Sequence, residues 1–466
     1  MSVASAVASP ALSRRRLLLP LALAQFICSF AGSNMNVMIN DISEDLDTTV
    51  QGVQATITLF LLVMAVLMIP CSKLTDRWGR KRCLNGGLAL YGLGALLSAF
   101  APGLGVLIVG NSILEGVGTA LLIPPVYILA TLWFNDLTTR ARAFGVISGL
   151  GGIGAAAGPL IGGIITTSIS WRAAFIFQAL VIVAILLLSR RLVDPLPADP
   201  TRPFDAIGAV LSAVGLFCLV FGILQADSNV SLMTVFLVVG TAFLVFFLLS
   251  IRSRERAGKE PLLSTRIFRN RTSNLALITQ NVQWLLLMGT SFVVAVYLQT
   301  VRGYNAIETG VIFTAATVGL LISSLGAERF AKRRAQRTLI TAGFVVVFVG
   351  IGLLIGLVYA SKNIVALVPG LFFIGLGLGV MLTPSVNVVQ SSFPEEQQGE
   401  ISGLSRSVSN LGSSFGTAIA GTILVSGLAT GTRSYALAMG AIAVAAAIGF
   451  GASLLLPKAE GQAAPS

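Results

Sequence analysis

Apolar runs of about twenty residues recur from one end of this chain to the other, and that repetition constrains its fold more than any other feature. About twenty helical residues cross the roughly 30 Å hydrocarbon core of a bilayer. The runs fall at 17–39, 51–71, 84–102, 105–131, 143–167, 173–193, 205–226, 232–251, 273–299, 306–326, 338–360, 364–391, 399–426 and 434–456. Fourteen such spans leave little of the 466 residues for anything else. Composition agrees, with 55% hydrophobic and only 11% charged residues, where a soluble protein carries about a quarter charged. The expected fold is an all-α polytopic membrane protein. The first run follows Arg14, Arg15 and Arg16, but it is longer than a secretory signal, and Asn34, Asn36 and Asn40 fall where small cleavage-site residues belong, so it reads as an uncleaved span.

Several function classes drop out. Histidine is absent, and Cys28, Cys71, Cys83 and Cys218 are scattered with no Cys-x-x-Cys pair, which argues against metal, haem or a disulfide framework. No G-x-x-x-x-G-K-[ST] phosphate loop occurs. The expectation is no cofactor, no metal and no enzymatic activity. The net charge of +12 is positional: with fourteen spans both termini share a side, and all 31 lysines and arginines lie on that side except Arg172, Arg302, Lys362 and Arg433. The positive-inside rule then puts both termini in the cytoplasm of a cell (plasma or inner) membrane. The basic excess is topogenic, and no nucleic-acid partner is expected.

The chain repeats itself. Gly116, Gly118, Pro125 and Phe134 recur at an offset of 259 as Gly375, Gly377, Pro384 and Phe393. One residue is then lost, and Gly145, Gly154, Gly158 and Gly163 recur as Gly403, Gly412, Gly416 and Gly421. Spans 4 and 5 thus equal spans 12 and 13, so each repeat holds six spans in the same orientation and spans 7 and 8 are an inserted pair. The expected organisation is a tail over 1–16, a six-helix bundle over 17–193, two linker helices with their loops over 194–272, a second six-helix bundle over 273–456 and a tail over 457–466. Two parallel halves facing one another are an architecture of secondary transporters, with the substrate near the midplane.

Between spans 2 and 3 lies SKLTDRWGRKRCL, in which Asp76 sits among cations and Gly79 permits a tight turn. Leu74, Asp76, Arg77, Gly79, Arg80 and Lys81 resemble the G-x-L-x-D-R-x-G-R-[KR] loop of the major facilitator superfamily, with Ser72 in place of its first glycine. Span 5, GVISGLGGIGAAAGPLIGG, resembles that superfamily's antiporter motif through Gly145, Gly154, Gly158, Pro159, Gly162 and Gly163. With fourteen spans, the chain is similar to the drug:proton antiporter branch. The resemblance implies the major facilitator fold, a cytoplasmic latch in the Asp76 loop, and exchange rather than uptake at the glycine seam.

Glu115 is the one acid deep in any span, the kind of group that loads and releases a proton. It is the candidate coupling residue, a neutral glutamic acid hydrogen-bonded between helices being the alternative, with Asp41 at the outer end of span 1 as a second candidate. Here the sequence departs from its relatives: the family's R-x-x-Q-G reads Ser112-x-x-Glu115-Gly116, and Ala31 stands where the drug antiporters' span 1 carries an aspartate. Ser29, Ser33, Asn36 and Asn40 form one helical face of span 1. Asn281, Trp284, Met288, Ser291 and Gln299 offer a similar sector in span 9, and Asn111, Tyr127, Asn387 and Gln390 add polar positions from spans 4 and 12. The resemblance implies that these spans line a central cavity. Arg406 is a candidate gate or anion contact, an ordinary end-of-helix arginine being the alternative. The expected function is proton-coupled efflux of small amphipathic molecules or drugs by alternating access, acting as a monomer on small molecules, protons and the lipid bilayer. Metabolite uptake coupled to protons or another ion is the second reading, and a non-transporting receptor or scaffold a remote one.

Overall fold

The computed structural model describes residues 10–134, 137–195, 198–201, 203–225, 229–331, 335–361, 363–393, 398–425 and 430–457. The outermost parts of both tails, with Arg202, Lys332, Arg333, Arg334, Lys362 and Lys458, lie outside the described residues. Among those described there is no strand. The first set of helices comprises α1 (Pro10–Asn34), α2 (Ile39–Asp45), α3 (Val50–Trp78), α4 (Arg80–Ala99), α5 (Leu104–Leu107), α6 (Gly116–Trp133), α7 (Leu137–Ser168) and α8 (Trp171–Ser189). A π-helical stretch, Ile108–Glu115, joins α5 to α6. Then come α9 (Ala206–Leu224) and α10 (Val230–Arg256), followed by α11 (Arg271–Val296), α12 (Ala306–Ala331), α13 (Gln336–Ala360), α14 (Val368–Ser391), α15 (Gln398–Val425) and α16 (Thr432–Leu454). Polar residues placed just before the apolar runs cap them. Thr49 accepts from the Gly52 amide, Asp205 from Gly208, Asn229 from Leu232 and Asn270 from Ser273, satisfying amides that have no partner inside the helix.

Among the described residues eleven helices are long and apolar enough to cross a membrane, or twelve if the bent α7 counts as one span. Fourteen were expected, and composition supports that number only so far. The two other long helices, α4 and α15, carry more polar residues. α4 opens on Arg80, Lys81 and Arg82, while α15 is rich in serine. Both pack against protein: Ser405 of α15 donates to Gln280 Oε1 (2.9 Å) and Ser414 to the Thr58 carbonyl (3.2 Å). A helix whose polar groups are met by neighbouring helices need not be apolar. α10 is the opposite case, with Val238 63% and Phe246 59% exposed, as a lipid-facing helix should be.

α1, α3, α4, α6, α7 and α8 pack with one another, as do α11 to α16, and the two groups meet chiefly through α3 against α15 and α7 against α12. The sequence repeat is also a repeat of packing. A Cβ on Gly118 of α6 would overlap the backbone of Gly87 and Tyr91 in α4, and one on Gly377 of α14 would overlap Gly343 and Val347 of α13. Gly154 and Gly158 of α7 press on Phe26 and Phe30 of α1, while Gly412 and Gly416 of α15 press on Asn281 and Leu285 of α11. Small residues let helix backbones meet where lipid supplies no hydrophobic drive between them.

The glycines of α7 serve two neighbours. Gly151, Gly154, Gly158 and Gly162 face α1, whereas Gly163 abuts Ala306 and Pro159 abuts Gly310 of α12. Gly145 stands open, with nothing near its missing Cβ. α7 bends by 43° between Ala155 and Ala157. Pro159 lacks the N–H that would bond the Ala155 carbonyl four residues back, which puts the bend there.

Candidate functional site

Two adjoining spaces lie between the helix groups, of about 100 Å³ and about 40 Å³, sharing Met68, Ile123 and Arg406 in their walls. The larger runs toward the end that carries Arg77 to Arg82, called the basic end below, between Ser72, Tyr127, Thr131 and Ser402. The smaller reaches deeper, to Gln25, Cys28, Ser29, Trp284, Met288 and Asn410. These spaces are large enough for water but fall short of the roughly 300–1,000 Å³ of drug-sized sites, so the path is pinched. Arg406 sits where they meet. It hydrogen-bonds the Tyr127 hydroxyl, its guanidinium carbon lies 4.5 Å from the Tyr127 ring centroid, and Tyr127 donates onward to Gln25 Oε1 (3.2 Å).

The end opposite the basic end is closed. Gln299, in the π-helical turn after α11, donates to the Asn36 carbonyl (2.9 Å) and accepts from the Asn40 amide (3.3 Å). Gln54 of α3 donates to the Thr417 and Ala418 carbonyls of α15 (3.5 and 3.4 Å), and the Ile307 amide donates to Thr167 Oγ1 (3.1 Å). Asp41 is half-buried on α2, and burial raises its carboxyl above the usual range.

Glu115 is fully enclosed at the end of the π-helical stretch. Asn111 Nδ2 donates to its Oε2 (3.4 Å), and Oε1 has no hydrogen-bond partner. Tyr91 is buried in the same helix group and donates to Gln178 Oε1 (2.5 Å). Glu115 lines neither space; Cys28, which does, lies within its electrostatic reach. The repeat explains the π-helix. Gly94 packs on Gly110 and Glu115, and Gly350 on Gly370 and Ile374. The first pair is five apart and the second four. One extra residue in the first repeat is absorbed as a π-bulge, a device frequent at functional sites, and a carboxyl occupies the place of Ile374.

At the basic end Asp76 pairs with Arg80 (2.6 Å), and Arg80 is buried. Gly79, at φ +92°, ends α3 and opens α4 in a conformation side chains rarely adopt. The Arg80 amide donates to Asp194 Oδ2 (2.7 Å), and Lys81 to the Arg190 carbonyl (3.0 Å). The loop after α10 straps several helices here. Glu260 pairs with Lys73 (3.2 Å), the Leu262 amide donates to Asp205 (3.2 Å), and the Ser264 amide donates to Glu400 (2.5 Å). Arg77 lies beside Trp78 and Arg82 over the Ala198–Pro200 segment.

Of the positions singled out from sequence, Ser29, Tyr127, Trp284, Met288 and Arg406 border the spaces. Ser33 is turned onto the Phe30 carbonyl (3.2 Å), Asn281 onto the Val408 carbonyl (2.8 Å), and Asn111 onto Glu115. Asn36 and Asn40 act through their main chains. Ser291 and Gln390 are half-buried and Asn387 is exposed, all away from the two spaces. Gln25, Gln54 and Asn410 were not singled out. Their only sequence signal is an amide in an apolar run.

Two helix groups about a common cavity, closed at one end, define a multi-pass membrane transporter for small molecules. The chain matches the family model of the Major Facilitator Superfamily over residues 21–417, and again over 278–465, and belongs to that superfamily. It is similar to a puromycin resistance protein of Streptomyces alboniger, 29% identical with 86% of this chain and 80% of that one covered. The multidrug efflux pump LfrA of Mycolicibacterium smegmatis is 30% identical over 82% of this chain and 75% of its own. The multidrug resistance protein Stp of Mycobacterium tuberculosis is 27% identical over 84% and 73%.

Proposed function

We propose that this protein exports small amphipathic molecules, drugs among them, in exchange for protons. The observation that carries the reading is the largely apolar cavity, dotted with polar groups and bordered by Tyr127 and Trp284, between two helix groups whose contacts repeat, sealed at the outer end by Gln299 and Gln54. The resistance and efflux roles named for its relatives support the direction. Residues 17–193 and 273–456 act as the two rocking halves, with 194–272 as an accessory helix pair. The protein sits in the cell membrane with both termini cytoplasmic and works as a monomer without chemical catalysis.

Glu115 carries the proton. With one long hydrogen bond to set against its desolvation, a charge there is costly, so the carboxyl ionises only when the first half opens and water reaches it past Cys28. Asp41 is the secondary acid. The Asp76–Arg80 pair, with Arg77, Gly79 and Lys81, forms the cytoplasmic latch. The α7 seam of Gly154, Gly158, Pro159, Gly162 and Gly163 keeps the halves tight to protons while they turn.

Purified protein in liposomes with an imposed pH gradient tests this. A panel of dyes and metabolites should include compounds that accumulate against the proton flow and stop when a protonophore is added. Movement along the proton flow would mean symport; no driven movement for any compound would end the reading. Glu115→Gln should lower driven accumulation at least tenfold while binding stays within about twofold. Wild-type accumulation in that variant removes Glu115 from coupling.

A further inference from the structure

Arg406 puts a cation in the cavity wall with no acid opposite it among the described residues. Ion pairs between Lys73 and Glu260, Arg80 and Asp76, Arg172 and Asp45, and Arg254 and Asp205 lie toward the helix ends. Among the described residues no acidic side chain borders either space. The guanidinium is oriented by a neutral partner, the Tyr127 hydroxyl, which leaves most of its donors unused. One turn along α15, Asn410 borders the deeper space, and its Nδ2 is buried without a hydrogen-bond partner. Residues four apart share a helix face, so the two donors stand side by side.

We propose that the cavity selects anionic amphipaths, whose carboxylate or equivalent monoanion docks on Arg406 and Asn410. This rests on the export reading and specifies its cargo. An uncompensated, half-buried cation inside a helix bundle is costly, and a bound anion removes that cost. The fork of a guanidinium matches a carboxylate bidentately. Trp284 supplies a flat surface, and Met68 and Met288 a pliable one, for an aromatic body. Exchange of one proton inward for one monoanion outward moves two positive charges inward in net terms, so an inside-negative membrane potential drives it as well as the pH gradient.

The test uses 2-naphthoate, 2-naphthamide and 2-naphthylmethylammonium, which share one ring system and differ in charge. Wild-type protein should bind naphthoate at least tenfold more tightly than either other probe. Arg406→Gln should erase that preference, Arg406→Lys should keep part of it, and Asn410→Leu should weaken naphthoate alone by severalfold. Thermal unfolding checks that each variant is folded. Equal or tighter binding of the amide or the ammonium, a preference that survives Arg406→Gln, or no naphthoate binding would each overturn the proposal. Driven transport of a cationic dye without carboxylate preference would sink the anion site and leave export standing. Naphthoate preference without driven transport of any probe would do the reverse.

Discussion

Glu115 and Arg406 show how single residues of opposite charge are housed in one bundle. The acid is walled off with one amide donor, and the cation is left at the edge of a wet space. A third charged group, Asp45, belongs to the outer surface, where it accepts from Arg172 and from Trp171 Nε1 (3.1 Å). The hydrogen bond from Arg172 holds its carboxyl below the usual range. A lowered carboxyl stabilises the fold above about pH 4, its ordinary range, and that contribution is lost as pH falls through the lowered value. With Asp45 47% and Arg172 32% exposed, screening holds the tie to at most about 1 kcal/mol. Asp45→Asn should therefore unfold at a slightly lower temperature than wild type at pH 7, and the gap should narrow progressively as pH falls below about 4. A gap that does not narrow there would assign the difference to something other than this charge.

Among the elements, α7 is the one whose composition and geometry most clearly explain each other. Eight glycines and a proline in one span are intolerable in water, yet here the glycines admit α1 and α12 while Pro159 sets the bend. At Gly154 an added side chain would drive into the Phe26 backbone of α1 and at Gly158 into the Ser33 hydroxyl, and overpacking of that kind costs about 1–3 kcal/mol or more. Gly154→Leu should lower the unfolding temperature by several degrees and abolish transport, whereas Gly145→Ala, in open space, should leave stability within about 0.5 kcal/mol. Equal effects at the two positions would contradict the seam. Pro159→Ala restores the hydrogen bond to Ala155, and should slow transport without lowering the unfolding temperature.

For the whole molecule, the ends are held differently. Amide contacts seal the end opposite the basic one: Gln54 to the Thr417 and Ala418 carbonyls, and Gln299 to Asn36 and Asn40. Ion pairs and the loop after α10 bind the basic end, joining α3 through Lys73, α9 through Asp205 and α15 through Glu400. Alternating access must break one set as the other forms. In a background without native cysteines, Gln54→Cys with Ala418→Cys should cross-link under oxidation, stop transport and recover on reduction. Transport that continues through the cross-link would mean that α3 and α15 do not part at the outer end.

Hydropathy by itself determined that this chain lives in a bilayer, because transfer into hydrocarbon is nearly additive along the chain. The glycine landmarks exposed the duplication for a related reason: backbone contact tolerates no Cβ, so the same spacing appears wherever the same packing does. Glu115 is legible as a lone intramembrane acid, whereas its π-bulge shows only once packing equates Gly94 with Gly350. Only tertiary structure decided which polar side chains reach the cavity. Ser29, Ser33, Asn36 and Asn40 form one stripe in sequence, yet only Ser29 borders the space, the rest being turned onto carbonyls or packed against neighbours. A helix inside a bundle meets protein on nearly every side, so periodicity marks a polar face without saying whether water or another backbone answers it. The inward aim of Arg406 was settled the same way, by how α15 lies against α3 and α6.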